Sequence, residues 1–252
     1  LFSFYARIKG RVDLKFEEGI RMEIKGLAKT TLLDYPGHVA ATLFVGNCQF
    51  KCPFCHNGSL VTKAAQLPNI PLEEVYAFLE KRRGVLDGVC ITGGEPTFQP
   101  DLKELLYDIK SMGYLVKLDT NGYDPIQLDH LFNEGLIDYV AMDIKNSQEK
   151  YAKTAGLSNL DLTRIKLSVD LIRDSGLDYE FRTTVVRELH SIDDMYQIAR
   201  WLEGSMAYYL QSYVASEDVI MPIFSSYSKE ELTAMQALMQ TYIPRVFLRG
   251  ID

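Results

Sequence analysis

Apolar, β-branched runs alternate along this chain with segments in which apolar residues recur at the three- and four-residue spacing of a helix. The apolar runs predict strands, and the helical segments predict amphipathic helices that pack on one sheet. This alternation is typical of βα units joined into a parallel sheet, so we expect an α/β protein. The predicted strands cover residues 39–45, 88–92, 115–118, 139–144, 179–186 and 207–213. The predicted helices cover residues 72–79, 102–109, 161–174, 192–202 and 229–242.

Polar segments come directly after the first three predicted strands and close the fourth. In chain order they are a cysteine-containing loop, Gly93-Gly94-Glu95-Pro96, Asp119-Thr120-Asn121-Gly122 and Asp143-Ile144-Lys145. In a (β/α) barrel the loops at the carboxyl ends of the strands converge on the active site. We therefore expect these four segments to form one site.

The cysteine loop holds three of the chain's four cysteines in a C-x3-C-x2-C pattern, as Cys48, Cys52 and Cys55. An ordinary iron–sulfur cluster has four protein ligands, so three neighbouring thiolates suggest a four-iron cluster with one iron open to another ligand. The spacing is too tight for a fold-spanning disulfide framework, and one thiol would stay unpaired. Cys90 lies in an apolar run and is expected to be a buried core residue.

A zinc site is the alternative for this loop, with His56 as a fourth ligand beside the three cysteines. A histidine directly after a ligand cysteine would have to fold back sharply, and structural zinc loops usually take a second ligand pair from elsewhere in the chain. The iron–sulfur interpretation is therefore the stronger one. His56 is expected to line the site without binding metal.

The other three segments carry groups suited to a small charged ligand. Gly93 and Gly94 allow close approach of the backbone, and the Glu95 carboxylate could accept from an ammonium group. Asp119 and Asp143 offer carboxylates, so a hydrated cation is also possible there. The simpler alternatives are a plain glycine turn and aspartates that cap turns or helices.

Composition limits the class of protein. The 252 residues are 47% hydrophobic and carry a formal net charge of -7, which disfavours a nucleic-acid partner. No apolar run reaches the length of a membrane span, so no membrane partner is expected, and clustered free thiols suit the reducing cytoplasm. We expect an N-terminal extension of uncertain order over residues 1–21 and a single domain over residues 22–252.

Together these motifs resemble the radical S-adenosylmethionine superfamily, and specifically its glycyl-radical activating enzymes. The resemblance rests on the cysteine loop with Phe54 before its third cysteine, on His56-Asn57 after it, and on the three polar segments. Within that group, residues 26–37, 79–84 and 181–186 look like the anaerobic ribonucleoside-triphosphate reductase activating proteins. The resemblance implies an incomplete (β/α)6 TIM-like barrel with a cluster in the loop after the first strand.

The resemblance also implies which residues bind the cofactors. The three cysteines would hold a 4Fe–4S cluster whose fourth iron chelates S-adenosylmethionine through its amino and carboxylate groups. Phe54 would lie near the adenine of S-adenosylmethionine, and Lys145 would meet its carboxylate. Its amino end would contact Gly93, Gly94 and Glu95. The remaining binding residues would be Asn57 and, orienting the ligand, Asp119, Thr120 and Asp143, with a bound monovalent cation in some relatives.

Finally, the resemblance implies a partner. Such an activase cleaves S-adenosylmethionine reductively and removes a hydrogen atom from a glycine of a glycyl-radical enzyme, here anaerobic ribonucleotide reductase. Only Cys90 remains outside the cysteine loop, which is too few cysteines for a further cluster that could supply the electron. The electron would therefore come from an external donor such as flavodoxin. Two alternatives stay open: a radical enzyme acting on a small molecule, as a 7-carboxy-7-deazaguanine synthase does, and a zinc-binding interaction module.

Overall fold

A computed structural model describes residues 22 and 24–251 of the chain, so the extension predicted over residues 1–21 lies outside the described residues. The described residues form one eight-stranded sheet in which each strand pairs with its neighbours in chain order. Strands β2 to β8 are parallel, and β1 pairs antiparallel with β2. The strands are β1 (Ile24–Thr31), β2 (Ala40–Val45), β3 (Gly88–Gly93), β4 (Leu115–Thr120), β5 (Tyr139–Asp143), β6 (Asp178–Val185), β7 (Tyr208–Ser212) and β8 (Val246–Arg249).

Helices lie in the connections between the parallel strands, since a parallel pair needs a crossover rather than a tight turn. They are α1 (Gly58–Thr62), α2 (Leu72–Lys81), α3 (Leu102–Ser111), α4 (Pro125–Asn133), α5 (Tyr151–Thr154), α6 (Leu162–Asp174), α7 (Ile192–Trp201) and α8 (Lys229–Met239). Helices α7 and α8 begin at capping boxes, in which Ser191 and Ser228 satisfy backbone donors of the first turn. The longer helices bury one apolar face against the sheet, as their spacing predicts.

The predicted fold class is confirmed: this is an α/β protein with an incomplete, TIM-like barrel, and all six predicted strands are present. Strands β1 and β8 were not predicted, because β1 is a polar, glycine-containing edge strand and β8 has only four residues. The cysteine loop follows β2, which is the second strand of the chain and the first strand of the parallel series.

The strands have two different faces. In β4, Val116 and Leu118 belong to the hydrophobic core, whereas Lys117 and Asp119 face a cavity on the other side of the sheet. Successive side chains of a strand point to opposite faces, so a strand that alternates apolar and charged residues separates an apolar layer from a polar one. The barrel interior is therefore lined in part by charged groups.

Within the part of the chain that the structure describes, no helix has the length and apolar character needed to cross a membrane.

Candidate functional site

A solvent-open cavity of about 840 Å³ lies at the carboxyl ends of strands β2 to β7. All residues that the sequence assigns to cofactors line it, as does His56. They are Cys48, Cys52, Phe54, Cys55, Asn57, Gly93, Gly94, Glu95, Asp119, Thr120, Asp143 and Lys145. The four polar segments predicted to converge do share one cavity, because parallel strands place all their carboxyl ends at one edge.

The cysteine loop presents its thiols to this cavity from a short, turned segment. Its three cysteines are free, and the backbone N–H of Cys55 donates to the carbonyl of Cys52 at 3.0 Å. The sulfur of Cys48 accepts from the backbone N–H of Phe50 at 3.3 Å and from the side-chain amide of Asn121 at 3.7 Å. Donors directed at sulfur favour a thiolate over a neutral thiol.

A strap formed by residues 218–221 holds the cysteine loop from outside. The Gly58 N–H donates to the carbonyl of Asp218 at 3.0 Å, and the Met221 N–H donates to the carbonyl of Pro53 at 2.8 Å. A Cβ at position 58 would lie 2.1 Å from that Asp218 oxygen, so the strap can approach only a glycine. The loop is therefore fixed by a distant segment of the chain as well as by its own turns.

Burial disfavours ionised thiols in the metal-free protein. It raises the pKa of Cys48 to about 12 and that of Cys52 to about 11, and it also raises the pKa of Cys55. The ammonium group of Lys145 opposes the shift at all three positions. A metal that binds here must therefore displace protons that the protein holds tightly.

Gly93 and Gly94 are explained by the fold itself. Gly93 has φ of +115°, and an added Cβ would lie 2.5 Å from the Val45 carbonyl oxygen. At position 94 it would lie 1.9 Å from the Asn47 carbonyl oxygen. The sequence-based reason was close approach to a ligand, whereas the structure shows close approach to the start of the cysteine loop. The two glycines thus set the distance between that loop and β3.

Glu95 is almost completely buried, with 1% of its surface exposed. Its carboxylate accepts from the Thr97 N–H at 3.0 Å, from the Thr120 hydroxyl at 2.7 Å and from the Asn121 N–H at 2.7 Å. Burial raises the pKa of Glu95, and these hydrogen bonds oppose the shift. The side chain therefore joins the loops after β3 and β4, and its contact with a ligand amino group stays a prediction.

The opposite wall of the cavity is a network of paired charges. The Arg182 guanidinium donates to Asp119 at 3.0 Å and also to Asp143, and the Lys145 ammonium group donates to Asp143 at 3.0 Å. Burial acts to raise the pKa of Asp143, but Arg182 and Lys145 outweigh it and hold that pKa far below its ordinary value. This wall carries fixed charges of both signs, as a zwitterionic ligand requires.

Sequence reasoning gave no role to Arg182 or Asn121, both of which line the cavity. Arg182 lies in a segment used only for the resemblance. The available signal was the alternation in β6, where charged Glu180 and Arg182 flank buried Phe181. That pattern indicates a strand with one polar, inward face. Asn121 reaches Cys48 only because the loop after β4 lies beside the cysteine loop, which no local pattern shows.

The donor set fits an iron–sulfur cluster. In the residues that the structure describes, no three His, Cys, Asp or Glu side chains are grouped as ligands of a single metal ion. The three thiols nevertheless line one cavity, and a multi-iron cluster takes each thiolate on a separate iron. Soft thiolates without accompanying imidazole or carboxylate ligands are typical of such clusters.

Comparison with known proteins shows the family. The model of the Radical SAM superfamily matches residues 42–202, and the chain belongs to that superfamily. A candidate glycyl-radical enzyme activating enzyme of Methanocaldococcus jannaschii is 28% identical over 235 residues, which cover 91% of this chain and 96% of that protein. The 7-carboxy-7-deazaguanine synthase of Haemophilus influenzae is 36% identical over 88 residues, which cover 34% of this chain and 38% of that enzyme.

Among solved structures, Streptococcus suis SuiB bound to S-adenosylmethionine has a similar fold, with a TM-score of 0.65 at 16% identity. The match covers 81% of this chain and 48% of SuiB, so this chain spans about half the length of that protein. Membership of the superfamily implies S-adenosylmethionine and an iron–sulfur cluster as cofactors. The cavity offers both a thiolate set and a charged wall for them.

Proposed function

We propose that this protein is a radical S-adenosylmethionine activase that generates a glycyl radical on anaerobic ribonucleoside-triphosphate reductase. The observation that carries the proposal is the single cavity in which three free thiols face a wall of paired charges. A relative named as a candidate activase matches the chain over 91% of its length. Residues 22–252 would act as one domain in this proposal, and the clustered free thiols favour a reducing compartment such as the cytoplasm.

Cys48, Cys52 and Cys55 would hold a 4Fe–4S cluster through one thiolate each, which leaves one iron for S-adenosylmethionine. When bound and reduced, this pair of cofactors supplies the electron transfer and bond cleavage that lead to hydrogen abstraction from a glycine. The protein must exclude water and thiols from that chemistry. Phe54, which is buried beside the cysteines, contributes an apolar wall for the adenine.

The charged wall would orient S-adenosylmethionine. Lys145 would donate to its carboxylate. Its amino end would be surrounded by Gly93, Gly94, Glu95 and Asn57. Asn57 already donates to the Gly93 carbonyl at 2.8 Å, so the cysteine loop and the glycine segment form one surface. Asp119, Thr120 and Asp143 would orient the remainder, with a monovalent cation as an added ligand.

An external donor such as flavodoxin would reduce the cluster. The fourth cysteine, Cys90, is fully buried in β3 and does not line the cavity, so it offers no relay from the described surface. The identity of the partner rests on the resemblance of residues 26–37 and 181–186 to reductase activators.

Electron paramagnetic resonance tests this function directly. The reduced protein with S-adenosylmethionine is mixed with the anaerobic ribonucleotide reductase of the same organism, and a glycyl-radical doublet is expected. Replacing the reductase glycine by alanine should abolish the doublet, whereas 5'-deoxyadenosine formation continues without it. Absence of the doublet with an intact, S-adenosylmethionine-cleaving protein would contradict the proposal.

A second candidate is a radical enzyme that acts on a small molecule. The 36% identity to the Haemophilus influenzae deazaguanine synthase favours it, although that match covers only 34% of this chain. Formation of 7-carboxy-7-deazaguanine without a protein partner would select this candidate over the activase.

A further inference from the structure

A second cavity, of about 460 Å³, lies between the two ends of the open sheet. The β1–β2 connection forms one rim with Leu33 and Pro36, and β8 forms the other with Arg249. Asp119 and Arg182 line both this lateral cavity and the cofactor cavity, so one ion pair forms a wall between them. An occupant of the lateral cavity would lie directly behind the cofactor site.

The floor of the lateral cavity contains a fully buried carboxylate, that of Glu180. It accepts from the Arg249 guanidinium at 2.9 and 3.2 Å and from the Tyr139 hydroxyl at 3.0 Å. The nearest nitrogen of Arg182 is 3.9 Å away, and that group is already bound to two aspartates. Arg249 is therefore the main counter-charge of Glu180.

Arg249 differs from Glu180 in its solvent exposure and in the strand that carries it. Its side chain is 36% exposed and stacks over the Tyr209 ring at 3.9 Å. It lies at the end of β8, a four-residue edge strand that pairs only with β7 among the described residues. Such short edge segments open locally at low free-energy cost. The guanidinium group can leave the rim, whereas the Glu180 carboxylate cannot follow it.

We propose that the lateral cavity binds a cationic side chain of a partner polypeptide, which replaces Arg249 on Glu180. A buried carboxylate that loses its counter-charge is strongly destabilised, so only an occupant with its own positive charge can displace Arg249. A neutral or anionic side chain would leave Glu180 unpaired, which gives the cavity its selectivity. This proposal rests on the proposed function, because the activase requires a polypeptide substrate beside its cofactor.

The rim suits a polypeptide occupant. Leu33, which lines the cavity, is 88% exposed, and its chain neighbour Leu32 on the β1–β2 connection is 71% exposed. An apolar rim around a buried charge can contact the backbone and apolar side chains of a segment whose cationic side chain enters the cavity. A free small cation would gain nothing from these leucines.

Binding of small probes to the holoenzyme tests the proposal without any partner. N-acetyl-arginine amide, its neutral isostere N-acetyl-citrulline amide, and N-acetyl-aspartate amide are titrated anaerobically and followed by calorimetry. The arginine probe should bind and the other two should not. In Arg249→Ala, which removes the internal competitor, the arginine probe should bind about tenfold more tightly.

The double variant Glu180→Gln/Arg249→Gln removes both charges together, so the buried pair leaves no unpaired ion behind. It should keep its thermal unfolding temperature and its S-adenosylmethionine affinity, and it should lose the arginine probe. Glu188→Gln, which removes a carboxylate bound to Ser225 outside the cavity, is the matched control and should bind the probe as the wild type does.

Equal binding of arginine and citrulline probes would overturn the proposal, as would preference for aspartate or no binding to any form, including Arg249→Ala. Unchanged binding in the double variant would overturn it too. The result is separate from the radical assay. Loss of the glycyl-radical doublet with arginine binding intact contradicts the proposed function. A normal doublet without binding of the arginine probe contradicts only the lateral site.

Discussion

The two walls of the cofactor cavity are built in opposite ways. On the cysteine side, burial raises the thiol pKa values, and the Cys48 sulfur accepts from two donors, at 3.3 and 3.7 Å. On the strand side, Asp143 and Arg182 are already paired, and the pKa of Asp143 is held low. The thiols of one wall thus stay protonated in the metal-free protein, whereas the charges of the other wall are paired before any ligand binds.

The largest effect is expected on the cysteine wall. Each of Cys48→Ala, Cys52→Ala and Cys55→Ala should abolish the iron–sulfur spectrum or the cleavage of S-adenosylmethionine, because each removes one of three protein ligands. Iron content and 5'-deoxyadenosine yield under dithionite measure this. Cys90→Ala is the control and should keep both. Full activity in Cys52→Ala would remove the assignment of a three-cysteine cluster.

On the paired wall, Arg182→Met should lower the free energy of unfolding by about 3 kcal/mol, since it leaves two partly buried carboxylates without their main counter-charge. Urea denaturation of the metal-free protein measures the change. Arg187→Met serves as the control, because Arg187 pairs with Glu231 at the exposed surface, and it should have a much smaller effect. Equal effects of the two substitutions would show that the buried network adds no special stability.

Lys145→Ala should separate ligand binding from cluster assembly. The variant should keep its brown cluster and bind S-adenosylmethionine more weakly by roughly 1.5–3 kcal/mol, the value of a charge-assisted hydrogen bond. Calorimetry on the reconstituted protein gives the affinity, and Lys153→Ala, which changes an exposed lysine of α5, provides the comparison. If both variants bind equally well, Lys145 serves only as the counter-charge of Asp143.

The pH dependence of the free energy of unfolding should show the effect of the raised thiol pKa values. Their folded pKa values are raised, so their contribution is fully present below the unfolded value near 9 and is lost as pH rises toward 11–12. Between pH 8 and 9.5 the metal-free protein should lose about 2.4 kcal/mol at most from three thiols. Denaturation of wild type and of the triple Cys→Ser variant isolates this part. Parallel pH profiles would contradict the raised thiol pKa values.

Much of the cofactor cavity could be predicted because its signals are local. Cys48, Cys52 and Cys55 fall within eight residues, and the other polar segments lie where apolar strands end. A parallel sheet brings those ends together without further information. The fold class followed from the same alternation of apolar runs and helical spacing.

The missed features depend on pairing between distant strands. Arg182 reaches both Asp119 and Asp143 only because the register of β6 places it opposite Asp143. The reason for Gly94 depends on the path of the chain at Asn47, and the Glu180–Arg249 pair depends on an edge strand of four residues. None of these contacts can be predicted from the spacing of residues along the chain.

The strap over the cysteine loop bears on how the protein is made. Ser59, beside that loop, donates to Asp218, which is 159 positions later in the chain. At about 5–20 residues per second, a ribosome takes on the order of ten seconds to reach the strap after it has made the loop. During synthesis the three thiols therefore emerge before the segment that fixes them. A cluster of the kind proposed above could therefore be loaded before the newly made strap closes over the loop.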